Sequence, residues 1–187
     1  MFVRTKLSWI KKQQEKFEKQ PRQSEREYVS GETLYVFGQQ YFLRVEYSYK
    51  GNTLVLEGNE AILTVRKEST VSQREAFVNE WYRTLLKEKI EIYLPKWENI
   101  TGLHCDSWQT KYMTTRWGTC NTNTRKIWLN LQLAKKPVEC LEYVILHELA
   151  HLTEMNHGQR FHALCNLYCG GKERELEREF KRFKLPL

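Results

Sequence analysis

Pro137-Val138-Glu139-Cys140-Leu141-Glu142-Tyr143-Val144-Ile145-Leu146-His147-Glu148-Leu149-Ala150-His151 is the stretch that decides how this chain folds. Proline suits a first helical turn, and Glu139 and Glu142 complement the positive end of a helix dipole. Val138, Leu141, Val144, Ile145, Leu146 and Leu149 supply the apolar positions. Tyr143 to Leu146 is apolar on nearly all sides, so the helix should lie in the interior. Its last turns carry H-E-x-x-H. Positions four apart on a helix lie about 40° from each other around the axis, so His147 and His151 project from one face. Two imidazoles on one face can take adjacent corners of a tetrahedral Zn²⁺. Glu148 flanks that face, where a carboxylate can take a proton from a water at the metal and later hand it to a leaving group. A helix with two incidental histidines is the plainer alternative, and the apolar surroundings argue against it.

His157 is the best third ligand. Six steps beyond His151 would rotate it about 240° along a continued helix, so the chain must leave the helix first. Asn156 tolerates a left-handed, helix-ending conformation and is expected to make that turn. The gap from His151 matches the long metzincin signature, but Glu154 stands at its glycine position. No methionine follows Met155, so no Met-turn can form. Glu154 is a rival ligand; it fits better as a residue supporting the ligands or capping the helix. His162 is expected in packing or a surface polar contact, and His104 in no catalytic part.

With these residues stand Arg116-Trp117-Gly118-Thr119-Cys120, Ile127-Trp128-Leu129-Asn130, Asn156-His157-Gly158 and Phe161. Together they resemble the YgjP-like metallopeptidase family, whose pattern reads approximately R-W-G-S-C, N-x-N, V-V-x-H-E-L-A-H-L and N-H-S-x-x-F-W. A looser likeness extends upstream through Arg26 to Glu32. The resemblance implies a gluzincin-like minimal protease core, with one zinc ion held by His147, His151 and His157 and Glu148 as general base. Gly158 and His162 replace the family's usual serine and tryptophan. His157-Gly158-x-x-Phe161 is also the form found in the distantly similar SprT and WLM proteases, which act on DNA-bound proteins.

Lys126 to Leu131 has strand character after the turn-rich Asn121 to Thr124, and Trp117 to Cys120 would be its partner strand. An edge strand beside the active helix can pair with an extended peptide. Trp128, Leu129 and Asn130 are therefore candidate substrate-binding residues, against the alternative that the apolar ones pack under the helix. Arg116 is a candidate for a substrate carboxylate or the oxyanion, or for an ordinary salt bridge.

The remaining sequence organises around this core. Leu7 to Gln20 reads as a helix. Thr33–Phe37, Gln40–Tyr47, Thr53–Glu57 and Ala61–Arg66 read as strands, separated by Gly-containing turns that suit hairpins. Ser72 to Tyr93 has helical periodicity, and Leu176, Phe180 and Phe183 give a last helix an apolar stripe. The expected fold is α+β: a small antiparallel sheet on a zinc-binding helix, with a C-terminal helix and a β-rich N-terminal elaboration. Residues 1–70 would form the accessory region and 71–187 the zincin-like core, within one continuous domain or as two units.

The chain has 187 residues, a net charge of +7 and five cysteines, an odd number without a paired C-x-x-C pattern. No run is long enough to span a bilayer and the first residues lack a secretory signal, so a cytoplasmic protein with reduced thiols is expected. Cys165 and Cys169 lie four apart on a helix, a spacing that serves packing or a second metal. Basic residues near the ends, including Lys11, Lys12, Lys181, Arg182 and Lys184, are interleaved with glutamates, the pattern of a solvated helix face more than of a nucleic-acid surface. The reading is a zinc metallopeptidase acting on peptide or protein. The competing readings are a DNA-associated protein with a structural or latent zinc site, an SprT-like protease of DNA-bound proteins, and a zinc hydrolase of non-peptide substrates.

Overall fold

A computed structural model describes residues 26–182. The helix expected over Leu7 to Gln20, and Phe183 and Lys184, lie outside the described residues.

Four strands come first, each within one residue of its expected limits: β1 (Thr33–Val36), β2 (Gln39–Tyr47), β3 (Thr53–Glu57) and β4 (Glu60–Val65). Phe37 and Gly38 both have positive φ, 45° and 84°, the geometry of the two-residue turn that joins antiparallel strands. They close β1 onto β2, and Gly58-Asn59 closes β3 onto β4. Lys50-Gly51-Asn52 corrects the sequence reading, because it is not a hairpin turn. β2 pairs in parallel with β4, giving the order β1-β2-β4-β3. Burial explains the order: Ala61, Ile62 and Leu63 are buried in succession, and a strand apolar on both faces belongs inside a sheet. The outer edge of β1 is capped by side chains. Tyr82 donates its hydroxyl to the Tyr35 carbonyl at 2.9 Å, and Arg26 donates to that of Thr33 at 2.7 Å.

Helix α1 (Val71–Thr101) opens with a capping box between Thr70 and Gln73 and ends at Gly102, whose φ is 69°. Val78, Tyr82, Leu86, Ile90 and Leu94 form its buried stripe. The helix runs eight residues beyond the expected Tyr93, through Pro95. Its last turns are tied to the next helix, because Lys96 and the Trp97 indole both donate to the Glu142 carboxylate, at 2.5 and 3.0 Å.

A second sheet follows, from β5 (Ser107–Lys111), β6 (Gly118–Asn121) and β7 (Lys126–Asn130). β6 is antiparallel to β7, as expected, but β5 runs parallel to it, so this sheet is mixed rather than wholly antiparallel. After a 3-10 turn at Leu131–Lys135 come α2 (Val138–Ala150), α3 (Gln159–Tyr168) and α4 (Glu173–Lys181). Gly38 of the first hairpin meets the start of α2 so closely that a Cβ there would lie 2.8 Å from Pro137 Cγ. One hydrophobic cluster joins Leu63 and Val65 of the first sheet to Leu86 of α1, Leu129 of β7 and Ile145 of α2. The architecture is α+β.

Asn130 ends β7 and is fully buried. Its Nδ2 donates to the carbonyls of Met113 (2.7 Å) and Arg116 (2.6 Å), and its Oδ1 accepts from the amides of Met113 (3.4 Å) and Gln132 (3.1 Å). These bonds hold the segment that leads into β6. Removing the buried amide takes the partner from part-buried backbone groups, so Asn130→Ala should cost about 1–3 kcal/mol. Urea denaturation of the variant measures it; a loss below about 1 kcal/mol would contradict this role.

Candidate metal centre

Helix α2 is interior along most of its length, with Tyr143, Val144, Ile145, Leu146, Leu149 and Ala150 buried. It ends at Ala150, with His151 as its cap. The next amides still wind: Leu152 donates to Leu149 (3.0 Å), and Thr153 and Glu154 both donate to Ala150 (3.1 and 3.0 Å). A tight reversal then sends the Gly158 amide to the Asn156 carbonyl at 2.7 Å. Among the described residues only Tyr28, Phe37 and Arg125 are non-glycines with positive φ. Asn156 therefore does not make the left-handed turn expected of it; these hydrogen bonds turn the chain instead.

The reversal brings His157 back over the end of α2. Ring centroids are 4.9 Å apart for His147–His151, 4.9 Å for His147–His157 and 4.7 Å for His151–His157. One nitrogen from each ring lies within 4.8 Å of the other two. His147 and His151 are half-buried and His157 is exposed. His151 Nδ1 lies 3.1 Å from the Glu154 carbonyl. A carbonyl can only accept, so Nδ1 carries the proton and Nε2 keeps its lone pair. It is thus the backbone carbonyl of Glu154, not its carboxylate, that supports a ligand candidate. His147 Nε2 and His157 Nε2 face each other at 2.9 Å, a separation that calls for a proton or a cation between them. Burial, and secondarily the neighbouring histidines, pushes His147 down to about 3, and burial also lowers His151. Both are neutral near pH 7, the form in which imidazole binds metal. An all-imidazole donor set suits zinc better than magnesium or calcium, which take oxygen.

Glu148 is buried at 4 % exposure, and its Oε2 has no hydrogen-bond partner among the described residues. Burial pushes it up to about 8, opposed by the charge of Arg116. Its carboxylate lies against the backbone of Gly118 in β6: a Cβ at that position would meet Glu148 Oε1 at 2.5 Å. An orphaned, buried carboxylate oxygen on the residue that follows His147 fits a site meant for a cation and a water.

Phe161 is the residue whose part the sequence left unread. It is 1 % exposed, and its ring centroid lies 4.9, 4.7 and 4.8 Å from those of His147, His151 and His157. All three imidazoles rest on one phenyl ring. Its spacing after His157 signals only a buried face of α3. His162 pairs with the buried carboxylate of Glu173 at 2.7 Å, pinning α3 to α4. Phe180 of α4 packs on Trp117 and Tyr143, both at 5.3 Å between centroids.

The other expected residues are placed differently. β7 is paired on both sides, so the strand carrying Trp128, Leu129 and Asn130 is central and has no open edge. Leu129 is fully buried in the core, and Asn130 is engaged as described above. Trp128 stands opposite Thr119, one residue out of phase with the Gly118–Leu129 pair, so it faces away from Glu148. Lys126 lies over its ring at 5.0 Å. Among the described residues, the open edge beside α2 is β6. Arg116 is exposed just before β6, close enough for its charge to act on Glu148. His104 is exposed beside Glu98. Cys165 packs with Phe161 and Ala150, and neither it nor Cys169 joins a metal-type cluster among the described residues.

The buried carboxyl gives a stability prediction for metal-free protein. A folded-state value of about 8 against an ordinary 4.5 means that Glu148 favours folding while protonated. That contribution is complete below about pH 4.5 and is lost as pH rises through about 8. With chelator present, the wild type should lose stability relative to Glu148→Gln between pH 5 and 9. The ceiling is several kcal/mol, at about 1.4 kcal/mol per unit. Paired denaturation curves test this, and a difference that stays flat with pH would contradict it.

The model of the family described as YgjP-like, metallopeptidase domain, matches residues 1–183. No curated protein matches. A solved structure, the metallopeptidase zymogen abylysin of Pyrococcus abyssi, is similar at 19 % identity with a TM-score of 0.45, covering 50 % of this chain and 94 % of its own. The helix and histidines described above thus lie inside the matched span, and the chain belongs to the YgjP-like metallopeptidase family.

Proposed function

We propose that this protein is a zinc-dependent peptidase in which His147, His151 and His157 hold one zinc ion and Glu148 is the general base. The observation that carries this reading is the convergence of three imidazole nitrogens within 4.8 Å at the end of α2, beside a buried carboxylate with an unpaired oxygen. A zinc ion there would supply Lewis acidity toward a peptide carbonyl and toward water.

The chain's own groups then divide the work. Glu148 takes a proton from the attacking water and returns it to the departing amine, a transfer for which its orphaned oxygen is available. The Glu154 carbonyl fixes the His151 tautomer, and Phe161 packs against all three rings. β6 pairs on one side only among the described residues, which supports an extended peptide or unfolded protein segment as substrate, paired along the other side. Arg116, at the mouth of this strand, is suited to anionic charge developing near Glu148. No helix among the described residues is long and apolar enough to cross a membrane.

Metal analysis combined with peptide cleavage tests the reading. His147→Ala and His151→Ala should lose zinc. Glu148→Gln should keep about one zinc per chain and lose cleavage by 100-fold or more, on the order expected for removal of a general base. Undiminished cleavage by Glu148→Gln would sink the mechanism. Full zinc retention by His147→Ala would sink the ligand set.

A further inference from the structure

We propose that Gly118 is a positioning residue for Glu148: its missing side chain is the space that the carboxylate occupies, fixing the base against the open strand edge. This rests on the reading of Glu148 as general base.

Glycine is usually kept in a chain for its backbone freedom, and that explanation fails here. Gly118 is not among the positive-φ glycines, so alanine could adopt its conformation. Space is what an alanine would lack. A Cβ at 118 would lie 2.5 Å from Glu148 Oε1, 2.8 Å from Cγ and 2.9 Å from Cδ. The three nearest atoms that a Cβ would meet all belong to one side chain, so Glu148 is the group for which the glycine leaves room.

Turning the carboxylate alone does not relieve the contact, because a Cβ at 118 would also meet Glu148 Cγ at 2.8 Å. The side chain has little solvent to swing into, being 4 % exposed on a helix whose Ile145, Leu146 and Leu149 are fully buried. The carboxylate also lacks a hydrogen bond at Oε2 that would hold it elsewhere. Strand alternation places Cys120 on the same face of β6 as Gly118, and its thiol is close enough to feel the Glu148 charge. The base is therefore located by shape, in a slot between strand and helix. β6 is also the strand whose free edge would pair with substrate, so the slot ties the position of the base to the register of the peptide.

A double-mutant cycle with Gly118→Ala and Glu148→Ala, read by denaturation in chelator, tests the slot without activity. Gly118→Ala should destabilise the wild type and cost nothing in the Glu148→Ala background, where the methyl fills vacated space. Should Gly118→Ala alone fail to fold while the double variant folds, the conclusion is the same. An equal cost in both backgrounds, or a double variant that does not fold, would overturn it. In the zinc-loaded enzyme, Gly118→Ala should keep its zinc and KM but lose kcat on the order of 100-fold; a wild-type kcat would overturn the positioning role. A wild type that cleaves no peptide counts against the general-base reading, while the stability cycle still decides the slot.

Discussion

Burial of helix α2 is the constraint on which the rest of the site depends. It packs against α1, both strands β6 and β7, and the two C-terminal helices, and Glu148 is the one charged-type side chain among its buried residues. A helix gripped on so many sides has no freedom to rotate or slide. The direction of His147 and His151 is set by the same apolar contacts that stabilise the protein. The helix stops where the ligand candidates stand, and the chain past it is turned by backbone hydrogen bonds. Precision at the site follows from the core below it.

The same burial sets the electrostatics. Desolvation disfavours any charged form, so it pushes His147 down to about 3 and Glu148 up to about 8. Opposite directions have one cause. The result is a neutral His147 next in sequence to a carboxyl that gives up its proton reluctantly. A divalent cation inverts that preference and favours the carboxylate, the form a general base needs. A carboxyl placed on the exposed surface of a helix would have no such responsiveness.

The local parts of this arrangement were legible in the sequence. The i, i+4 histidines, the apolar run before them and the need for His157 to leave the helix are consequences of 3.6-residue periodicity. Strand limits in the first sheet came from alternation and turn residues. What escaped were relations between distant segments. Nothing in Lys50-Gly51-Asn52 reveals that β3 crosses to the far side of β4; only the buried run at Ala61 to Leu63 bears on that, by demanding a central position. The edge strand was misplaced for the same reason, since β7 gains its second partner, β5, from a segment with little apolar signal. Gly118 and Phe161 were visible as letters, but their parts depend on which atoms stand opposite them. A sequence does not carry such distances.

X-ray absorption at the zinc edge of loaded protein reads the ligand set itself. Coordination by His147, His151 and His157 should give three imidazole nitrogens at about 2.0–2.1 Å, with a light-atom donor completing the sphere. A sulfur scatterer near 2.3 Å, or fewer than three imidazoles, would contradict it.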